Sequence, residues 1–122
     1  MSAVADLSRR AILRAVPLGL ERRFDPVAAG DLEAVLELRV TDSEATRGAR
    51  FAIIVAGGRC QVQRRPAPEA GAQMSIPAFD AVRLLAGTEQ WPALLAAGRL
   101  SLSGEPFLAL RFPTLFGFAR SR

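Results

Sequence analysis

Asp80, Glu33, Glu37 and Cys60 are the side chains on which chemistry could rest, because the sequence contains no His and no Tyr. Two of the commonest proton-transfer groups are therefore missing. Histidine-containing triads and His-ligated zinc sites are excluded with them. A single cysteine rules out a thiolate cluster and an intrachain disulfide, and makes a reducing compartment the default. Cys60 lies in the alternating string "RCQVQ" and points inward, as a small apolar filler rather than a reactive thiol. Asp80 follows Phe79 on a helix, one residue from a position expected to be buried, so it is expected on the surface. Glu33 and Glu37 fall on the water-facing side of an alternating strand. "AGGRC" matches neither glycine-rich phosphate loop and reads as a hairpin turn. These residues predict no catalytic group, no metal site and no cofactor.

The elements that would position any site follow from pattern. The chain has 122 residues, half of them apolar and 23% charged, which suits one globular domain over 1–122 with a real core. Residues 1–9 are expected to be an unstructured lead-in. Ser8 can cap a first helix running to about Leu20, which Pro17 would kink or end. "FDPVAAGD" connects it to "DLEAVLELRVT", where Leu32, Ala34, Leu36, Leu38 and Val40 alternate with Glu33, Glu37, Arg39 and Thr41. That is a strand with one face on a core and one toward water. "TDSEATRGAR" is a hairpin loop, "FAIIV" a more buried strand, and "AGG" turns the chain into "RCQVQ". "RPAPEAGA" is long enough to carry the chain across the sheet to a fourth strand, "AQMSI". A helix over 77–86 follows, with Phe79, Val82, Leu85 and Ala86 clustered and Gly87 ending it. "TEQWPALLAAG" is a short helix and "RLSLS" a last strand. Helices and strands are segregated, so the class is α+β.

Charge is modest and uneven. Sixteen Arg and no Lys leave a net charge of +4, weak evidence for a nucleic-acid partner, and no aromatic pattern on a basic strand suggests base stacking. Seven of the twelve acids lie between Glu21 and Glu44, whereas only Arg111, Arg120 and Arg122 follow Glu105. Arg9, Arg10 and Arg14 stand near the start. The arginines are either solvated helix ends or a basic rim that meets an anionic membrane surface transiently. No stretch is long and apolar enough to span a bilayer, and "RRAILRAVPLGLERR" lacks the core and cleavage site of a signal peptide. A cytoplasmic location is expected.

The tail carries more apolar surface than its length explains. Between Pro106 and Phe118, four of the seven Phe occur. On a helical wheel Leu108, Phe112, Leu115 and Phe116 share one face, and Phe107, Leu110 and Phe118 another. Core, a partner protein or second copy, a membrane or an apolar ligand could cover the remainder. Trp91, ahead of Pro92, packs in the core or lines an apolar pocket. Pro113 interrupts the tail, and the residue before a proline is pushed from helical geometry, so 105–118 is expected as a helix kinked there, two short pieces at an angle.

Four strings in order resemble the sterol carrier protein type 2 domain family, from about Arg10 to Phe118. They are "RFDPVAAGDLEAVLELRVTD", "AGGRCQV", "AQMSIPAFDAVRLLAG" and "AAGRLSLSGEPFLALRFPTLF". The resemblance implies a five-stranded, mostly antiparallel sheet with helices covering one face and an apolar tunnel between them. It implies non-enzymatic binding or transfer of fatty acyl chains, acyl-CoA, phospholipids or sterols, without a cofactor. Carried over by position, the tunnel wall draws on Met74, Phe79, Leu85, Trp91, Leu102, Phe107, Leu110, Leu115 and Phe116. Head groups would meet Arg111 or Arg120 at the mouth. Glu105 followed by Pro106 stands where the family's pattern has Asp. The other reading is an interaction module whose apolar tail mediates homodimerisation or partner docking.

Overall fold

The alternation in the first strand string puts β1 (Ala34–Thr41) at the centre of a five-stranded sheet. A computed structural model describes residues 2–41 and 49–118, with side chains from Arg10 onward. β1 pairs antiparallel with β2 (Arg50–Ala56), which pairs antiparallel with β3 (Arg59–Gln63) across the Gly57–Gly58 turn. The segment 64–71 then recrosses the sheet, so β4 (Ala72–Pro77) lies parallel to β1. β5 (Ser101–Gly104) closes the other edge antiparallel to β4, giving the order β3-β2-β1-β4-β5. A connection that recrosses the sheet, rather than a tight hairpin, is what lets β4 run in the same direction as β1. The expected hairpin loop after β1 lies largely outside the described residues.

Register places Leu36, Leu38 and Val40 in line with Ile53 and Phe51 of β2 and with Met74 and Ile76 of β4, all buried on one face. Helices cover that face. α1 (Ser2–Arg23) contributes Val16 and Leu20, α3 (Ala78–Ala86) Ala81 and Leu84, and α4 (Trp91–Ala96) Trp91 and Leu94. Each fully buried Leu or Phe contributes about 1.5–3 kcal/mol. α1 begins before Ser8 and runs through Pro17, contrary to the expected short helix. Val16 and Leu20 pin it in the core on both sides of the proline, which offsets the one lost backbone bond. α2 (Pro26–Ala29) is a single turn whose first N–H groups are capped by the Asp25 carboxylate, 3.0 Å from Val27 N.

Two acids depart from expectation. Glu37 does not face water: it is 2% exposed beneath the crossover segment. Its Oε2 accepts from Ala67 N at 2.8 Å and its Oε1 from Arg39 Nε at 2.8 Å, compensation without which a buried carboxylate would be costly. Burial alone would raise its pKa, but the Ala67 N–H, the Arg39 hydrogen bond and the charges of Arg39 and Arg50 outweigh it and hold the carboxyl below its usual value. Asp80 is also buried, its Oδ2 accepting from Arg99 Nε at 2.6 Å. α3 is accordingly turned: Ala78, Ala81 and Leu84 face the core, while Phe79 stands outside under the Arg83 guanidinium, 5.3 Å from its ring centroid.

The tail is two separate turns, α5 (Pro106–Ala109) and α6 (Phe112–Leu115), divided at Leu110–Arg111. Pro113 lies in the first turn of α6, where its missing N–H leaves no bond unmade, so it opens a helix rather than kinking one. Gly117, at φ 71°, then reverses the chain, and Phe118 N donates to Pro113 O at 2.7 Å. Phe112, Leu115, Phe116 and Phe118 are all thereby buried, and Phe107 and Leu110 are left outside.

Candidate ligand cleft

α1 ends in Arg22 and Arg23, cations that suit the negative end of a helix. Arg23 does more than that. Its Nε donates to Phe116 O at 3.0 Å, and its two Nη atoms reach Leu85 O and Gly117 O at 3.4 Å each. Its guanidinium carbon lies 4.8 Å from the centroid of the Phe118 ring. One side chain thus ties together the ends of α1, α3 and the tail. Phe118 in turn stacks on Trp91, with centroids 5.8 Å apart and planes at 11°. Phe116 meets Phe118 and Phe24 at 6.1 Å each, giving a continuous line of rings, Phe24–Phe116–Phe118–Trp91.

An open cleft of about 640 Å³ lies against this line. Phe24, Phe116, Phe118 and Leu84 supply its apolar wall, and Arg23, Asp25, Glu89 and Gln90 its polar part. The two carboxylates are committed elsewhere: Asp25 to the N–H groups of α2, and Glu89 to Arg83 Nη2 at 3.0 Å. Among the described residues Arg23 makes no ion pair, and two of its three carbonyl contacts are near the limit of a hydrogen bond. The arrangement can hold an apolar chain or ring against the aromatic wall with an anion beside the guanidinium. A second, smaller cleft of about 230 Å³ lies between Leu32–Ala34 and α5, with Glu105, Phe107, Leu108 and Arg111 in its wall.

The residues assigned by resemblance to one tunnel wall are dispersed. Met74, Trp91, Leu115 and Phe116 are buried in the core, and Leu85 and Leu102 are half-buried against it. Phe79, Phe107 and Leu110 are exposed. Phe116 alone of the nine lines the larger cleft, and Phe107 the smaller. Arg111 lies in the smaller cleft rather than the larger, its Nη2 donating to Ala28 O at 3.0 Å and Ala29 O at 3.3 Å and closing the end of α2. Arg120 lies outside the described residues. Arg23, Phe24 and Leu84 were not singled out from the sequence; the pointer to the first two was "RRF" directly after the first helix.

Cys60 is half-buried on edge strand β3, and burial, with a smaller contribution from Glu21, pushes its thiol up to about 12. Among the described residues no group of three acids, histidines or cysteines is placed to hold a metal ion. Among them also, no helix is long and apolar enough to cross a membrane.

No curated protein matches the chain. Solved structures do. Sterol carrier protein 2 like 2 from Aedes aegypti superposes with a TM-score of 0.68 at 16% identity, over 89% of this chain and 96% of that one. The solution structure of the palmitated form of that protein gives 0.64 at 16%, over 92% and 96%. The stereoselective inverting sec-alkylsulfatase Pisa1 from Pseudomonas sp. gives 0.64 at 17%, over 84% of this chain but 15% of its own, so this chain corresponds to one region of that larger protein. The SCP-2 sterol transfer family matches residues 21–117, most of the chain, on the same α+β fold of a five-stranded mixed sheet with helices. The chain belongs to the SCP-2 sterol transfer family.

Proposed function

We propose that this protein binds and transfers apolar lipid ligands without covalent chemistry, in the cytoplasm, with the apolar part against Phe24, Phe116 and Phe118 and an anionic head group at Arg23. The observation that carries this is the cleft itself. Its volume, about 640 Å³, falls within the ~300–1,000 Å³ range of small-molecule sites. The half-buried Phe24 ring stands in its wall with the buried rings of Phe116 and Phe118 behind, and among the described residues the one cation in it has only backbone carbonyls as hydrogen-bond acceptors. Affinity would come mostly from burial, at about 0.8 kcal/mol for each methylene removed from water. The palmitated relative supports a fatty acyl chain as one ligand class. Entry of a chain longer than the cleft requires the tail to shift from the helices. That is the place where a tunnel between sheet and helices, as the family resemblance implies, would open.

The experiment is lipid extraction from the purified protein followed by mass analysis. Delipidated protein is then titrated with palmitate, palmitoyl-CoA, a phospholipid and a sterol. Co-purified lipid and saturable one-to-one uptake of at least one class are expected. Protein that carries no lipid and takes up none of the four would refute the proposal.

A further inference from the structure

Phe107 on α5 and Leu110 just after it are 85% and 65% exposed, two large apolar side chains within one turn of each other. Phe107 borders the smaller cleft, whose apolar floor is Leu32 and Leu108 and whose rim carries the exposed carboxylates of Glu33 and Glu105. Asp31 is exposed two residues before Glu33. One cation, Arg111, also stands in the wall, its Nη2 held on the carbonyls of α2, and the three carboxylates outnumber it. In a chain of net charge +4, this groove is therefore locally acidic.

α1 shows the converse. Its inner face buries Val16 and Leu20, and Leu18 projects from the centre of the opposite face, half-exposed. Arg14 and Arg22 flank Leu18 at one helical turn on either side, Arg10 stands a further turn away, and Ala11 and Ala15 leave room around it. A helix that needs only one buried face presents a second apolar point with three cations around it and one acid, Glu21, whose Oε2 accepts from Val62 N at 2.8 Å.

We infer that these two surfaces meet between copies of this chain, the outer face of α1 docking into the α5 groove of a second copy. Leu18 would meet Phe107 and Leu108, and Arg10, Arg14 and Arg22 would face Glu33, Glu105 and Asp31. The contact is apolar at its centre and charged around it, the arrangement that fixes register and makes association sensitive to salt. Because the two patches differ, the contact is heterologous: it closes into a dimer only if both grooves are filled at once, and otherwise extends head to tail. None of the charged residues lines the larger cleft, so the inference stands apart from lipid binding.

The test is charge reversal with cross-rescue, read by sedimentation velocity over a concentration series. Wild-type protein should self-associate, and less so as salt rises. R10E/R14E and E33R/E105R, each confirmed as folded by circular dichroism, should each associate about tenfold more weakly or not at all, since like charges then face each other. An equimolar mixture of the two variants should regain association, because the acidic helix of one now fits the basic groove of the other. A wild type that stays monomeric throughout overturns the inference. So does association that survives in both variants alone, or a mixture that stays monomeric. Lipid uptake, measured on the same samples, should be unchanged by either pair of substitutions.

Discussion

Replacing Arg23 by Met tests whether one side chain holds the tail against the helices. Met keeps an unbranched apolar stem and removes every donor. The lost contacts are one hydrogen bond of 3.0 Å to Phe116 O, two of 3.4 Å, and a guanidinium 4.8 Å over Phe118. A hydrogen bond from an ionised donor contributes about 1.5–3 kcal/mol, and the two long contacts little. The stacked cation adds about 0.5–1 kcal/mol. Arg23→Met should therefore cost about 2–4 kcal/mol, lowering the melting temperature of a domain of this size by roughly 6–20 °C. A local signal should accompany it. Trp91 is the only tryptophan and stacks on Phe118, so loosening the tail should expose it and shift its emission to the red. Ligand selectivity supplies the third readout. If Arg23 meets the head group, the variant should lose about tenfold or more in affinity for palmitate beyond whatever it loses for hexadecanol, which reports the loosened wall alone. A variant that melts within about 2 °C of wild type with unchanged Trp91 emission would show that Arg23 does not hold the tail. Equal losses for palmitate and hexadecanol would place the head group elsewhere.

Three further outcomes follow from single residues. A Cβ at Gly104, where φ is +96°, would lie 2.5 Å from Gly71 O and 2.7 Å from Ala72 Cα, so Gly104→Ala should cost about 3 kcal/mol or more in urea denaturation; an unchanged midpoint would contradict the β4–β5 register. Glu37 binds its proton more weakly folded than unfolded, so its stabilisation is complete above its ordinary pKa of 4.5 and is lost as pH falls through the lower folded value. The stability gap between wild type and Glu37→Gln, about 1–3 kcal/mol at neutral pH, should shrink below that point, and a gap independent of pH would rule the compensated carboxylate out. Cys60, raised from 9.0 to about 12, should be alkylated about a thousandfold more slowly in native than in denatured protein at one pH, and native labelling within about tenfold of denatured would contradict its burial.

The sheet was legible because a period of two is a local signal. β1, β2, β3 and β4 alternate or run apolar within a few residues, and the length of the crossover segment already implied a non-hairpin connection. What was not legible depends on partners distant in sequence. Glu37 reads as a surface residue until Ala67, thirty positions on, donates to it. Asp80 reads the same way until Arg99, nineteen positions on, pairs with it. The α3 register failed for a steric reason. Ala78 and Ala81 let the helix approach the sheet closely, and Phe79 on that face would hold it away. Arg23 looked like any cation at a helix C-terminus, and its three acceptors lie 62 to 94 residues further along.

The tail shows how a local constraint becomes a binding property. A straight helix over 105–118 could not bury Phe112, Leu115, Phe116 and Phe118 together, because they do not share one face. Dividing it at Leu110–Arg111 lets α6 adopt its own orientation, tied to the connection after α1 by Asp25 N donating to Leu115 O at 2.8 Å. Gly117 then folds Phe118 back, and this leaves the carbonyls of Phe116 and Gly117 as helix-end acceptors that need donors. Arg23 supplies them, and in doing so brings a guanidinium to the wall of the cleft. Its present acceptors are neutral. An incoming carboxylate or phosphate would accept more strongly than a carbonyl does, and no ion pair among the described residues would have to break first. The same exchange would free the tail from the end of α1, so head-group binding and opening of the aromatic wall would be one event rather than two.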